Sequence, residues 1–196
     1  MSDAALILRT VFATTLLAAA TASAQAPLPQ YQIDPTHSFA YFEVLHFGAS
    51  TSRGRFDRTQ GTVAFDRAAR HGSAEITVEI ASVSTGVPAL DRRLRGPEFL
   101  DAERWPQARF VAERMVFDGA RVSAVQGRLT LRGVTEPLTL SATRFHCYTS
   151  PVFKREVCGG DFEAPLLRSR FGMVDPIPGI PDQIRLLIQV EAIAQQ

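Results

Sequence analysis

Four histidines (His37, His46, His71 and His146), two cysteines (Cys147 and Cys158) and an arginine near a strand end (Arg168) are the side chains here best suited to chemistry. The histidine spacing fits no metal motif, so no metal site is assigned. His37 and His46 would face opposite ways on one continuous strand, unless the irregular start at Pro35-Thr36 alters the phase. His71 falls in an expected turn. His46 closes a strand and reads either as a hydrogen-bonded structural histidine or as a contact for a ligand head group. Asp34, His37 and Ser38 can be assembled on paper into a Ser/His/Asp set. No nucleophile-elbow motif accompanies them, local composition explains them better, and no catalytic residue is assigned. No phosphate-loop or dinucleotide glycine motif is present. Arg168 continues the parity of Phe162, Ala164 and Leu166, so it points inward near a strand end and needs a partner. That partner is an anionic or carbonyl-bearing head group, or a carboxylate such as Asp34 or Asp175.

The elements that must position these groups are almost all strands. From residue 38 to 46 the chain splits by parity: Ala40, Phe42 and Val44 lead to His46 on one face, and Phe39, Tyr41, Glu43 and Leu45 form the other. Residues 25–30 read as a mobile, proline-containing lead-in. A return strand is expected at 61–65, with Gln60-Gly61 as the tight turn of a hairpin. Residues 74–80 alternate cleanly, with Ala74, Ile76, Val78 and Ile80 on one face. Ser84-Thr85 then caps a short helix with Pro88 in its first turn, and Gly96-Pro97 stops it. Further strands are expected at 108–117, 122–131, 138–147, 157–167 and 184–193, with an irregular, proline-rich stretch at 174–182. The pattern is all-β: an antiparallel barrel or sandwich of about eight strands with one short helical crossover.

Composition narrows the function. The chain is 45% hydrophobic and 21% charged with a net charge of +1, ordinary globular values that give nucleic acid no purchase. Residues 1–24 read as a signal peptide: Arg9 precedes an apolar run at 11–20, and Ala22-Ser23-Ala24 offers a cleavage site before Gln25. A cut after Ala26 is the weaker choice, because Pro27 would follow it. Residues 25–196 then form one exported domain, periplasmic in a Gram-negative cell. Export permits a disulfide between Cys147 and Cys158, across a loop between adjacent strands. A metal site using both cysteines and His146 lacks a local fourth ligand.

Several phrases in order resemble the YceI-like family of lipid- and polyisoprenoid-binding proteins. They are YQIDPTHS at 31–38, VLHFG at 44–48, RGRF at 53–56, ASVSTG at 81–86 and LRGPEFL at 94–100. WPQARF at 105–110, GRLTLRGVT at 127–135 and RSRFGM at 168–173 complete the set. The resemblance covers essentially the whole mature chain. It implies an extended lipocalin-like antiparallel β-barrel whose apolar interior holds a long amphiphile: a polyisoprenoid, an isoprenoid quinone or a fatty-acid derivative. It implies no required cofactor, and partners limited to the lipid, a homodimer and transient membrane contact. The proline-rich link before the last strand departs from the family pattern, and the cysteine pair resembles only a subset of members.

On that resemblance the apolar rows become a ligand-binding surface. Ala40, Phe42, Val44 and His46 supply one wall, and Ile76, Val78 and Phe110 another. Leu129, Leu131, Leu138 and Leu140 follow, then Phe162, Leu166 and Arg168. Leu94, Phe99, Leu100, Trp105 and Phe171 form a lid or entrance. Read without the resemblance, the same rows are simply core. Two other functions stay open at this level. One is a cell-envelope enzyme acting on a lipid or quinone, which requires polar groups converging inside the cavity. The other is a filled barrel that works as a dimeric interaction module through Phe39, Tyr41 and Leu45.

Overall fold

Strand β2 (Phe39–His46) and its partner β3 (Ser50–Phe56) form a hairpin closed at Phe47 and Gly48, both with positive φ. The computed structural model describes residues 28–174 and 179–195, so the expected signal peptide lies outside the described residues. The remaining strands are β1 (Gln30–Ile33), β4 (Thr59–Asp66), β5 (His71–Glu79), β6 (Val83–Ser84), β7 (Gln107–Asp118) and β8 (Arg121–Leu131). After them come β9 (Val134–Thr149), β10 (Glu156–Leu167) and β11 (Gln183–Ala194), and one helix, α1, spans Pro88–Arg95.

Eight strands close on themselves in the order β1, β4, β5, β7, β8, β9, β10, β11, because β1 pairs with both β4 and β11. All these pairings are antiparallel. Closure gives each of the eight strands a neighbour on both sides, which reduces the usual aggregation hazard of an open sheet edge. β2 pairs with the first half of β11, where β1 does not reach, and in turn pairs with β3, which pairs with β6, so that these strands extend the wall beyond β1.

The closing strand was not legible as one. β1 lies where a mobile lead-in gives way to the first expected strand. It is short, yet Tyr31 and Ile33 are buried at 5% and 3% exposure. Its hydrogen bonds go to strands distant in sequence, so nothing local marks it. The expected hairpin turn at Gln60-Gly61 is also corrected. Both residues lie inside β4, opposite Thr77 and Ile76, and β4 pairs with β5 and β1, not with β3. Gly61 stands there because a Cβ would come within 2.2 Å of the Glu75 carbonyl oxygen. His71, expected in a turn, opens β5 and is exposed.

Helix α1 has the expected Pro88 at its start and Gly96 at its end, but its N-cap is Val87 and no side chain caps it. Thr85 instead donates from its backbone N–H and its hydroxyl to Asp91 Oδ1, at 2.7 and 2.6 Å. Proline's missing N–H lowers the need for a cap.

The barrel has two ends. At the base lie the β4–β5 and β7–β8 turns and the β9–β10 loop. At the upper end lie α1, the β8–β9 turn and the segment between β10 and β11. A buried cluster fills each end: Tyr31, Phe65, Met115, Val122 and Phe162 belong to the base, and Ile80, Val83, Leu100, Leu131 and Phe171 to the top.

Candidate functional site

Between and within these clusters runs a cavity of about 260 Å³ with an almost wholly apolar wall. A hollow interior answers the filled-barrel expectation: the inward rows leave space. The expected wall residues that border it are Ala40, Phe42, Ile76, Val78, Phe110, Leu129, Leu131, Leu138, Leu140, Phe162 and Leu166. Strand alternation puts most of them there, each row facing the axis while its neighbours face out. On β2 the expectation is corrected at Phe39, which parity places on the outer face but which borders the cavity beside Ala40.

Seven other expected residues do not border the cavity. Val44 and His46 lie on the part of β2 that projects past the barrel; His46 is exposed, its ring 4.9 Å from that of Phe47. Leu94, Phe99 and Phe171 belong to the upper packing cluster, one layer outside the cavity. Trp105 packs on the β8–β9 turn, where its ring would lie 2.4 Å from a Cβ at Gly133. Arg132 in that turn donates to the carbonyls of Pro97 and Phe99. Residues 96–105 thus form a roof held onto the barrel by the turn below it. Of the expected lid, the side chain that reaches the cavity is Leu100.

Arg168 is buried at 8% exposure, and its guanidinium donates to the Met173 carbonyl at 3.1 Å. Its backbone N–H donates to the Asp182 carbonyl at 3.0 Å. Ser169 donates to the Asp182 carboxylate from its hydroxyl at 2.6 Å and its backbone N–H at 2.8 Å. Those bonds, with the Arg168 charge, hold the Asp182 carboxyl below its usual range. Arg168 therefore ties the β10–β11 connection together and does not border the cavity; Asp175 lies outside the described residues.

Sequence parity turns three further wall residues the wrong way for one physical reason. Bulges interrupt β7 at Glu113, β8 at Ser123 and β9 at Thr143, each adding an unpaired residue that reverses the alternation. Below them Met115, Val122 and Phe145 face the cavity, although the phase set by Ala112, Leu129 and Leu140 turns them outward. Two of the extra residues hydrogen-bond across the ladder: the Ser123 hydroxyl donates to the Val116 carbonyl and that of Thr143 to the Asp161 carbonyl, each at 3.2 Å.

Polar wall residues are few. Ser38 is fully buried; its hydroxyl donates to the Glu191 carbonyl and accepts from the Glu191 N–H, both at 3.1 Å. Thr59 is 7% exposed, and its Oγ1 is the one buried hydroxyl among the described residues without a hydrogen-bond partner. His37 points away on the exposed side, its Nδ1 2.8 Å from Asp34 Oδ2. Asp34 also accepts from the Thr36 hydroxyl at 2.6 Å and the Thr36 N–H at 2.9 Å. Ser38 and His37 thus spend their polar atoms on different partners, and the paper triad is two separate structural devices. Cys147 and Cys158 lie opposite one another on β9 and β10 and are joined, S–S 2.08 Å, so neither sulfur is available as a thiolate ligand.

The geometry defines a class: a closed eight-stranded antiparallel barrel around an apolar cavity. The YceI-like domain profile matches residues 31–192, and the chain belongs to that family. A UPF0312 protein of Pseudomonas savastanoi pv. phaseolicola is 34% identical over 139 residues, covering 69% of this chain and 72% of its own. Protein YceI of Salmonella arizonae is 29% identical over 187 residues, covering 93% and 96%. Among solved structures, a polyisoprenoid-binding domain from Saccharophagus degradans superposes with a TM-score of 0.63 at 16% identity, covering 86% of this chain and 99% of that one. At that identity the likeness is one of fold.

Proposed function

We propose that this protein is a non-enzymatic carrier that takes up a long-chain amphiphile, a polyisoprenoid, an isoprenoid quinone or a fatty-acid-like lipid, with the chain inside the barrel. The observation that carries the reading is the cavity wall, which is apolar along its length and crosses both packing clusters. Each methylene moved from water into such a site contributes about 0.8 kcal/mol before ordering costs. A long chain therefore binds tightly without specific polar contacts, and polar groups set orientation more than affinity. The polyisoprenoid-binding description of a structural neighbour supports the same ligand class. Export to the periplasm fits the disulfide and the leader-like sequence at 1–24. The enzyme alternative needs polar groups gathered in the cavity, and His37, His46 and Arg168 are not among its wall residues.

Organic extraction of protein purified from its native host, followed by mass spectrometry, tests the proposal. A stoichiometric prenyl or acyl lipid in the extract is the expected result. Repeated extracts without lipid, from protein that also takes none up from vesicles, overturn it.

A further inference from the structure

At the base the cavity stops short of the barrel's end. Phe65, Phe145 and Cys158 border it, whereas Tyr31, Phe117 and Cys147, which belong to the same base cluster, do not. The phenyl rings of Phe65 and Phe145 meet edge to face at 6.1 Å, and the Tyr31 ring backs Phe65 at 4.8 Å. The Tyr31 hydroxyl donates to Glu156 Oε1, and Arg67 pairs with Glu156 Oε2, each at 2.6 Å. Three strands and an ion pair thus brace an aromatic floor. Phe145 reaches it through the bulge at Thr143.

We propose that the Phe65–Phe145 pair is a ruler that sets how much of the ligand's chain is taken up; the inference rests on the carrier reading above. Along β10 the wall runs from Cys158 to Leu166. Those eight steps span about 27 Å of strand, or about 20 Å of barrel axis at the usual tilt. An extended chain advances about 1.25 Å per bond, as the 3.8 Å repeat of a trans peptide's three bonds shows. The floor therefore stops a chain after about sixteen main-chain carbons, or about four prenyl units, and any excess stays outside.

Displacement of 1-aminoanthracene from delipidated protein by 1-alkanols of about ten to about twenty-four carbons reads the ruler. Affinity of the wild type rises about fourfold per methylene and levels off near about sixteen carbons. In Phe145→Ala the break moves later by about three or four carbons, the depth of one ring. Phe145→Leu, a milder change checked for native circular dichroism, moves it the same way by less. Val122→Phe, which adds bulk beside the floor, moves it earlier. An unmoved break in folded Phe145→Ala and Phe145→Leu overturns the ruler and leaves the carrier standing. Failure of every alkanol to displace the probe overturns the carrier reading itself.

Discussion

Asp34 and His37 show how a motif that looks catalytic can be structural. Burial raises the Asp34 carboxyl pKa, but hydrogen bonds from Thr36 and His37 outweigh it and leave the net value lowered. The bond to Asp34 raises the His37 pKa. A lowered acid stabilises the fold above its unfolded pKa of about 3.9, and that contribution is lost as pH falls through the folded value. A raised histidine stabilises below its unfolded pKa of about 6.5, and that contribution is lost as pH rises through the folded value. The pair is therefore fully effective between about pH 4 and about pH 6.5. His37→Gln should lower the thermal midpoint most near about pH 5.5 and progressively less above about pH 7.5. A midpoint difference independent of pH would show that the ion pair contributes nothing.

The roof and the bulges act at the scale of elements. Gly133 has φ 72° and lies against the Trp105 ring, so the β8–β9 turn accepts residues 96–105 only without a side chain there. Gly133→Ala should cost about 1–3 kcal/mol in urea unfolding, from left-handed backbone strain plus displacement of Trp105. The Trp105 fluorescence maximum should shift red as the indole is pushed toward water. An unchanged spectrum would mean that the turn does not seat the roof. The bulges have the opposite character, since their residues make no demand that a period-2 reading can detect. Glu113, Ser123 and Thr143 are ordinary strand residues in sequence, and only the partner strand reveals that each is one too many.

At the scale of the whole molecule, the four residues of β1 complete a ring of eight strands. Tyr31 is the side chain on which that closure turns. It is buried, packs its tilted ring against Phe65 and donates to Glu156, and burial together with that bond pushes its hydroxyl pKa up to about 12. Tyr31→Ala should cost about 3–5 kcal/mol in denaturant, through the cavity and the lost closure. Tyr31→Phe should cost less, about 1.5–3 kcal/mol, the share of the hydrogen bond to a charged partner. Equal losses for the two would show that the hydroxyl, not the ring, holds the barrel shut.

By itself the sequence determined the all-β class, most of the strands, the helix with its proline start and glycine stop, and the wall residues whose alternation runs unbroken, such as Ile76, Val78, Leu138 and Phe162. These are local properties: periodicity and turn chemistry act between near neighbours. Only the tertiary structure decided that β1 closes the barrel, that Gln60 and Gly61 lie within a strand, that Phe145, Met115 and Val122 face inward, and that Arg168 binds a loop beside the cavity. Each depends on register between strands far apart in the chain. A register shift of one residue exchanges the two faces of everything beyond it, and no local pattern records where that shift occurs.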